Sequence, residues 1–183
     1  MGVLNNYVKQ CGVKKAAGIK AILYSVPCCD LDGFPKTVFE LTPSSTDPLK
    51  YITIGEAFAM ESGKKFKHIG IVVDKGSIKS DKIGEDDAIA FDNSISFRIS
   101  GDTPEELAIF EGICTNCGVH VVETTNGHRY VVGTTLRPAK VESASFDSGA
   151  ALTDPSGTDY VLKASNVTPI LYYPAALAMV IDE

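Results

Sequence analysis

Thiols and imidazoles are the side chains here best suited to nucleophilic, redox or metal chemistry. Five cysteines (Cys11, Cys28, Cys29, Cys114 and Cys117) form an odd set, which argues against a complete disulfide framework. Cys114-Thr115-Asn116-Cys117 spells C-x-x-C, and with Cys28-Cys29 it makes four sulfur ligands on paper. Neighbouring cysteines such as Cys28 and Cys29 make a poor chelating pair. A redox C-x-x-C opens a helix, where the macrodipole favours thiolate; this one falls at the end of an expected helix. The residues therefore read as free thiols buried on the apolar face of that helix, and no metal site is predicted.

The histidines, His68, His120 and His128, begin no H-E-x-x-H motif. His120 and His128 are expected on opposite strands of one hairpin, near a common edge. Neither a G-x-S-x-G elbow nor a strand-linked G-x-G-x-x-G is present, and Gly63-Lys64-Lys65 lacks the upstream glycine and following hydroxyl of a P-loop. Asp86-Asp87 and Glu105-Glu106 are paired acids, but adjacent side chains point in different directions. No catalytic residue and no cofactor are predicted, and the expectation is a protein that is not an enzyme.

The elements that would hold these groups are mostly strands. Ile89, Phe91, Ile95, Phe97 and Ile99 alternate with Ala90, Asp92, Ser94, Ser96 and Arg98, Asn93 being the one lapse; this predicts a half-buried antiparallel strand with one wet face. Thr103, Pro104 and Glu106 then make a capping box with proline at the first helical position. They predict a helix over about 103–117 with Leu107, Phe110, Ile113, Cys114 and Cys117 as its buried stripe and Gly118 as its stop. Asn126-Gly127 predicts a type I′ hairpin between 119–125 and 128–134, with Val122 facing Val131 and Glu123 facing Tyr130.

Further strands are expected over 19–26, 51–60, 66–74, 139–146, 160–164 and 169–173, with a short one over 37–41. Residues 147–159 read as a mobile loop. Leu4, Tyr7, Val8 and Cys11 give residues 1–17 the spacing of a short helix or arm. The turn-rich stretch 27–50 is long for a connection in a compact domain, which makes it the candidate inter-subunit loop.

Composition agrees with strands. Leu, Ile, Val and Phe number 50 of 183 residues, enough for a sizeable core, and Val, Ile and Thr outnumber Leu. The fold class predicted is mainly β, a single domain over 1–183. The net charge of −6 hides a split: residues 1–82 carry 12 Lys against 8 acids, whereas 83–183 carry 5 bases against 15 acids. A pI near 5.1 argues against a nucleic-acid binder, and unlike halves suit head-to-tail self-association. No run is long and apolar enough to span a bilayer, and the chain reads as cytosolic in origin.

From Gly63 to Tyr173 the sequence resembles the tail-tube (major tail) proteins of long-tailed bacteriophages, particularly those of Bacteroidetes-like hosts. The resemblance lies in an ordered run: Gly63–Asp74, then Phe97–Leu107 leading into the helix, the Asn-Gly hairpin, a Gly/Asp-rich loop, and Val167-Thr168-Pro169 before a closing strand. It covers about 60% of the chain. It implies an antiparallel β-sandwich or partly open barrel with one flanking helix, and a structural virion protein without enzymatic activity or cofactor. Such subunits form hexameric rings that stack into a hollow tube, alongside tape-measure and tail-terminator proteins. Double-stranded DNA passes through without specific binding, in a virion tail assembled in the host cytoplasm. An acidic lumen, for which Asp86, Asp87, Asp92, Glu105, Glu106 and Glu111 are candidates, would repel phosphates. The alternatives are another phage or bacterial structural module (tail terminator, baseplate or pilus-like), and a small metal-binding protein or enzyme using Cys28, Cys29, Cys114 and Cys117.

Overall fold

The computed structural model describes residues 17–43, 47–85, 88–150 and 153–181. The expected arm over 1–17 falls, but for Ala17, outside them, as do Cys11, Asp86 and Asp87. Nine strands run β1 (Ile19–Pro27), β2 (Lys67–Gly70), β3 (Ser77–Ile83), β4 (Ala90–Ser100), β5 (Gly118–Thr124), β6 (Arg129–Val132), β7 (Lys140–Asp147), β8 (Gly157–Asn166) and β9 (Leu171–Tyr173). The helices are α1 (Val38–Leu41), α2 (Leu49–Ile52) and α3 (Pro104–Thr115). The fold is mainly β, as the composition predicts.

Two antiparallel sheets make the body. One has five strands in the order β2-β1-β5-β6-β9; the other has four in the order β3-β4-β8-β7. Leu23, Val122 and Val132 from the first pack against Ile95, Phe97, Ile99, Tyr160, Leu162 and Ala164 from the second, giving a sandwich core. Gly133 carries the chain from β6 towards the other sheet at a φ of 90°. A Cβ there would stand 2.6 Å from the Gly118 carbonyl oxygen, so the crossing requires glycine.

The five-stranded sheet has a second buried face. Val26, Val119, Val121, Val131, Leu171 and Tyr173 meet Leu31, Ile54, Phe58 and Phe66 from the segment between β1 and β2. Both faces being covered, β5 reads as the continuous run Val119-His120-Val121-Val122, all buried, without alternation.

The long connection differs from expectation. It is neither free loop nor strand: a 3-10 turn over Cys28–Asp30 and the one-turn helices α1 and α2 fold onto the sheet. Thr37 and Glu40 close a capping box, with the Thr37 backbone N–H donating to the Glu40 carboxylate at 2.6 Å, so 37–41 turns as a helix. Expected strand 51–60 is instead the end of α2 and isolated bridges at Thr53, Ile54 and Met60. Expected strand 66–74 shrinks to β2, and the loop expected over 147–159 shortens to the residues between Asp147 and Gly157.

The hairpin register is displaced by one residue. Val122 faces Tyr130, Val121 faces Val131 and Glu123 faces Arg129. Thr124 N donates to the His128 carbonyl, leaving the three-residue loop Thr125-Asn126-Gly127 with Gly127 at φ 82°. A type I′ turn needs positive φ at Asn126 as well, and Asn126 does not have it.

Candidate functional site

The surfaces available for function are set by the four-stranded sheet. Strand β4 alternates as expected, with Ile95, Phe97 and Ile99 inward and Ser94, Ser96 and Arg98 outward. Asn93 is no lapse in the pattern. It points inward and is 2% exposed; its Oδ1 accepts from the Ser80 hydroxyl at 2.6 Å and its Nδ2 donates to the Thr168 carbonyl at 3.2 Å.

Register fixes the outer face. Beside β4, it carries Ser77, Lys79 and Asp81 from β3, Asp159, Val161, Lys163 and Ser165 from β8, and Lys140, Ser143 and Ser145 from β7. Arg98 bonds Asp159 at 2.6 Å and the Pro155 carbonyl at 2.9 Å. Lys163 joins Asp92 at 2.9 Å and Glu142 at 3.1 Å, bridging three strands. The Lys163 ammonium and the Ser165 hydroxyl hold the Asp92 carboxyl below the usual carboxylate range.

These residues form a balanced mosaic: Lys79, Arg98, Lys140 and Lys163 match Asp81, Asp92, Glu142 and Asp159. The acidic wall expected is therefore not found on this face. Of the four candidate acids among the described residues, Asp92 alone lies here. Glu105 and Glu111 are exposed on α3, and Glu106 is held in the cap by accepting from Thr103 N at 2.7 Å. Helix α3 reaches the opposite, inner side of this sheet, where Phe110 tilts against Tyr160 with centroids 5.9 Å apart.

The edges of the two sheets differ. On the five-stranded sheet, Thr53 bridges Tyr172 of β9, and Phe66, just before β2, bridges Ile181. On the four-stranded sheet, the outer edges of β3 and β7 carry no further strand among the described residues.

A cavity of about 360 Å³ opens between α3 and the five-stranded sheet, walled by Ser25, Pro27, Ile69, Ile109, Ile113 and His120 among others. His120 is 5% exposed, and its Nδ1 has no hydrogen-bond partner. Burial lowers its pKa to about 4, so the ring is neutral at pH 7. His128 lies on the exposed hairpin loop against Tyr172, at 5.9 Å between centroids. His120 pairs with Val132 and the hairpin turns at Thr124–His128, so the two imidazoles are not brought together.

The cysteines are less buried than expected. Cys29 and Cys114 are exposed, whereas Cys28 and Cys117 are half-buried. The physical reason is the seat of α3. It lies at the sandwich rim with Phe110 and Ile113 against the core, while Leu107 and Cys114 face outward. Its end is set by Asn116, whose side chain and backbone both donate to the Gly112 carbonyl; Gly118 already belongs to β5. Lys64 is occupied by Asp30 at 3.0 Å. Among the described residues no cluster of three His, Cys, Asp or Glu could hold a metal, and no helix is long and apolar enough to cross a membrane.

The missed features had signals. T-V-F-E at 37–40 spells a capping box, and the two-residue spacing of Asn93 from Phe91 and Ile95 marks it as inward. Comparison of the chain with protein-family models, curated proteins and solved structures finds no match.

Proposed function

We propose that this chain is a structural subunit without enzymatic activity that assembles with its own copies into rings, and that stacked rings form a hollow tube of the phage-tail kind. The observation that carries the reading is the four-stranded sheet, with two edges that pair with no further strand among the described residues and a polar, charge-balanced outer face. Its order β3-β4-β8-β7 makes β3 and β7 run in opposite directions, so β3 of one copy set beside β7 of the next continues the antiparallel alternation. Such head-to-tail contacts close into rings when the rotation allows. The edges are complementary in charge: β3 has Lys79 and Lys82 against Asp81, and β7 has Glu142 and Asp147 against Lys140.

A ring built this way would present the paired mosaic to its lumen. Phosphates passing such a wall meet cations already neutralised by Asp92, Glu142 and Asp159, so counterion-release binding is weak and duplex DNA slides. The partners are further copies, tape-measure and terminator proteins of a virion tail, and DNA in transit. The alternative is another phage or bacterial structural module whose rings close but do not stack.

Negative-stain microscopy and sedimentation of the purified chain test the reading, with rings and tubes as the expected outcome. A monomer at every concentration and salt overturns it, and rings that never stack favour the alternative. Lys79→Glu with Lys82→Glu is expected to weaken assembly at least tenfold at low salt, and Glu142→Lys with Asp147→Lys in the same chain to restore it.

A further inference from the structure

The ladder between β1 and β5 does not end at its last strand rung. Pro27 pairs with Gly118, and one step further the Cys28 backbone N–H donates to the Cys117 carbonyl at 3.2 Å. Cys28 and Cys117 are thus directly opposite, and the two-residue period of the strands puts both on the face that carries Val26 and Val119. Directly opposed antiparallel residues have Cα atoms about 4.5–5.5 Å apart, inside the window a disulfide needs. Cys117 is near enough to help raise the pKa of the Cys28 thiol.

We propose that Cys28 and Cys117 are a modification site, a cross-strand dithiol that closes to an intramolecular disulfide when the chain meets a small-molecule disulfide. The inference is independent of the assembly reading. Burial and the neighbouring Cys117 push the Cys28 thiol up to about 11, so at neutral pH it stays protonated and attacks second. The Cys117 thiolate attacks one sulfur of oxidised glutathione, forming a mixed disulfide and releasing one glutathione thiolate. Cys28, losing its proton, then attacks the Cys117 sulfur and releases the second glutathione. Two protein thiols are oxidised and one glutathione disulfide is reduced to two thiols, so electrons and protons balance.

Neither nearby thiol competes on geometry. Cys29 follows in the 3-10 turn, with its sulfur 3.7 Å from Asp30 Oδ1, and Cys114 sits exposed one helical turn back from Cys117. Closure would tie the end of β1 to the junction of α3 and β5. It would act as a covalent rung added when a chain folded under reducing conditions reaches an oxidising medium.

The full-length chain is incubated with oxidised glutathione, then alkylated and mapped by mass spectrometry. The expected result is one linked peptide pair joining Cys28 to Cys117, about 2 Da lighter than the two reduced peptides together, with neither of these cysteines alkylated. Cys29→Ser is expected to close as the parent does. Cys28→Ser is expected to stop at the glutathione adduct on Cys117. Closure persisting in Cys28→Ser, or a mixed disulfide left unclosed at Cys117 in the parent chain, overturns the proposal. Cys28→Ala gives the same reading should serine disturb the fold.

Discussion

The two sheets of this sandwich are made from similar strands and put to opposite uses. The five-stranded sheet is covered on both faces, and isolated bridges lie at β9 and just before β2. The four-stranded sheet shares one face with the core and leaves the other to water, and its edge strands β3 and β7 pair with no further strand among the described residues. The difference shows in the sequence of a single strand from each. Strand β5 is apolar residue after residue, while β4 alternates along its length. What separates the sheet with two dry faces from the sheet with one wet face is the segment between β1 and β2, which folds over the first of them.

The sharpest way to break that contrast is to place the same charge on each sheet. Val121→Asp puts a carboxylate into the fully buried layer under Phe58 and Tyr173, and is expected to cost about 4 kcal/mol or more, unfolding much of the population. Ser96→Asp, on the wet face, is expected to change stability by less than about 1 kcal/mol. Urea midpoints of the two variants check this. Equal losses would show that the outer face of β4 is not wet.

His120 gives the next largest effect, because it belongs to the sheet with two dry faces. Its folded pKa of about 4 lies below the ordinary 6.5, so the folded chain resists a proton that the unfolded chain accepts. Stability is therefore full above pH 6.5, falls as pH drops from 6.5 to 4, and levels below that, by about 3 kcal/mol in all. Urea midpoints between pH 7 and pH 4 measure the slope. His120→Leu is expected to flatten the part that His120 contributes, leaving the acid sensitivity of carboxylates such as Asp92, which titrate lower.

Asn93 sharpens the contrast from the other side, as a polar residue on the inner face of the wet sheet. Asn93→Ala leaves the Ser80 hydroxyl and the Thr168 carbonyl without their partner, and is expected to cost about 1–3 kcal/mol by urea denaturation. Asn93 also shows how far the sequence can be read. Alternation locates β4 to within a residue, and the cap at Thr103 locates α3, because both signals are local. The hairpin dipeptide locates a turn without its length; one extra loop residue moves every rung, and that length is decided by strand twist and Gly127. Residues 37–60 were harder still. Their β-branched and aromatic content favours strands, but their place is a layer over a sheet whose edges leave room for isolated bridges alone. For the same reason the stripe on α3 is legible as apolar, while its half-buried seat at the sandwich rim depends on where the two sheets end. Cys28 and Cys117, 89 positions apart, become partners through the β1–β5 ladder, which no local pattern encodes.

The smallest effect expected belongs to the helix that joins the sheets. Helix α3 runs from the four-stranded sheet to the five-stranded one and buries no residue completely, so its own caps carry a larger share of its stability than packing does. Thr103 accepts from Glu106 N at 3.4 Å, while its backbone N–H donates to the Glu106 carboxylate. Thr103→Ala removes the first bond and is expected to cost about 1 kcal/mol. The same change at Thr37 acts on a one-turn helix resting on the dry sheet, where the capping box is the same but the neighbours differ. If packing governs the scaffold side and local bonds govern the rim, Thr103→Ala lowers the urea midpoint and also speeds amide exchange throughout α3. Thr37→Ala then changes exchange in α1 alone. Faster exchange spreading from Thr37→Ala into β5 would instead mean that the 28–66 layer holds the five-stranded sheet together through its caps, and that the two sheets differ less than their burial indicates.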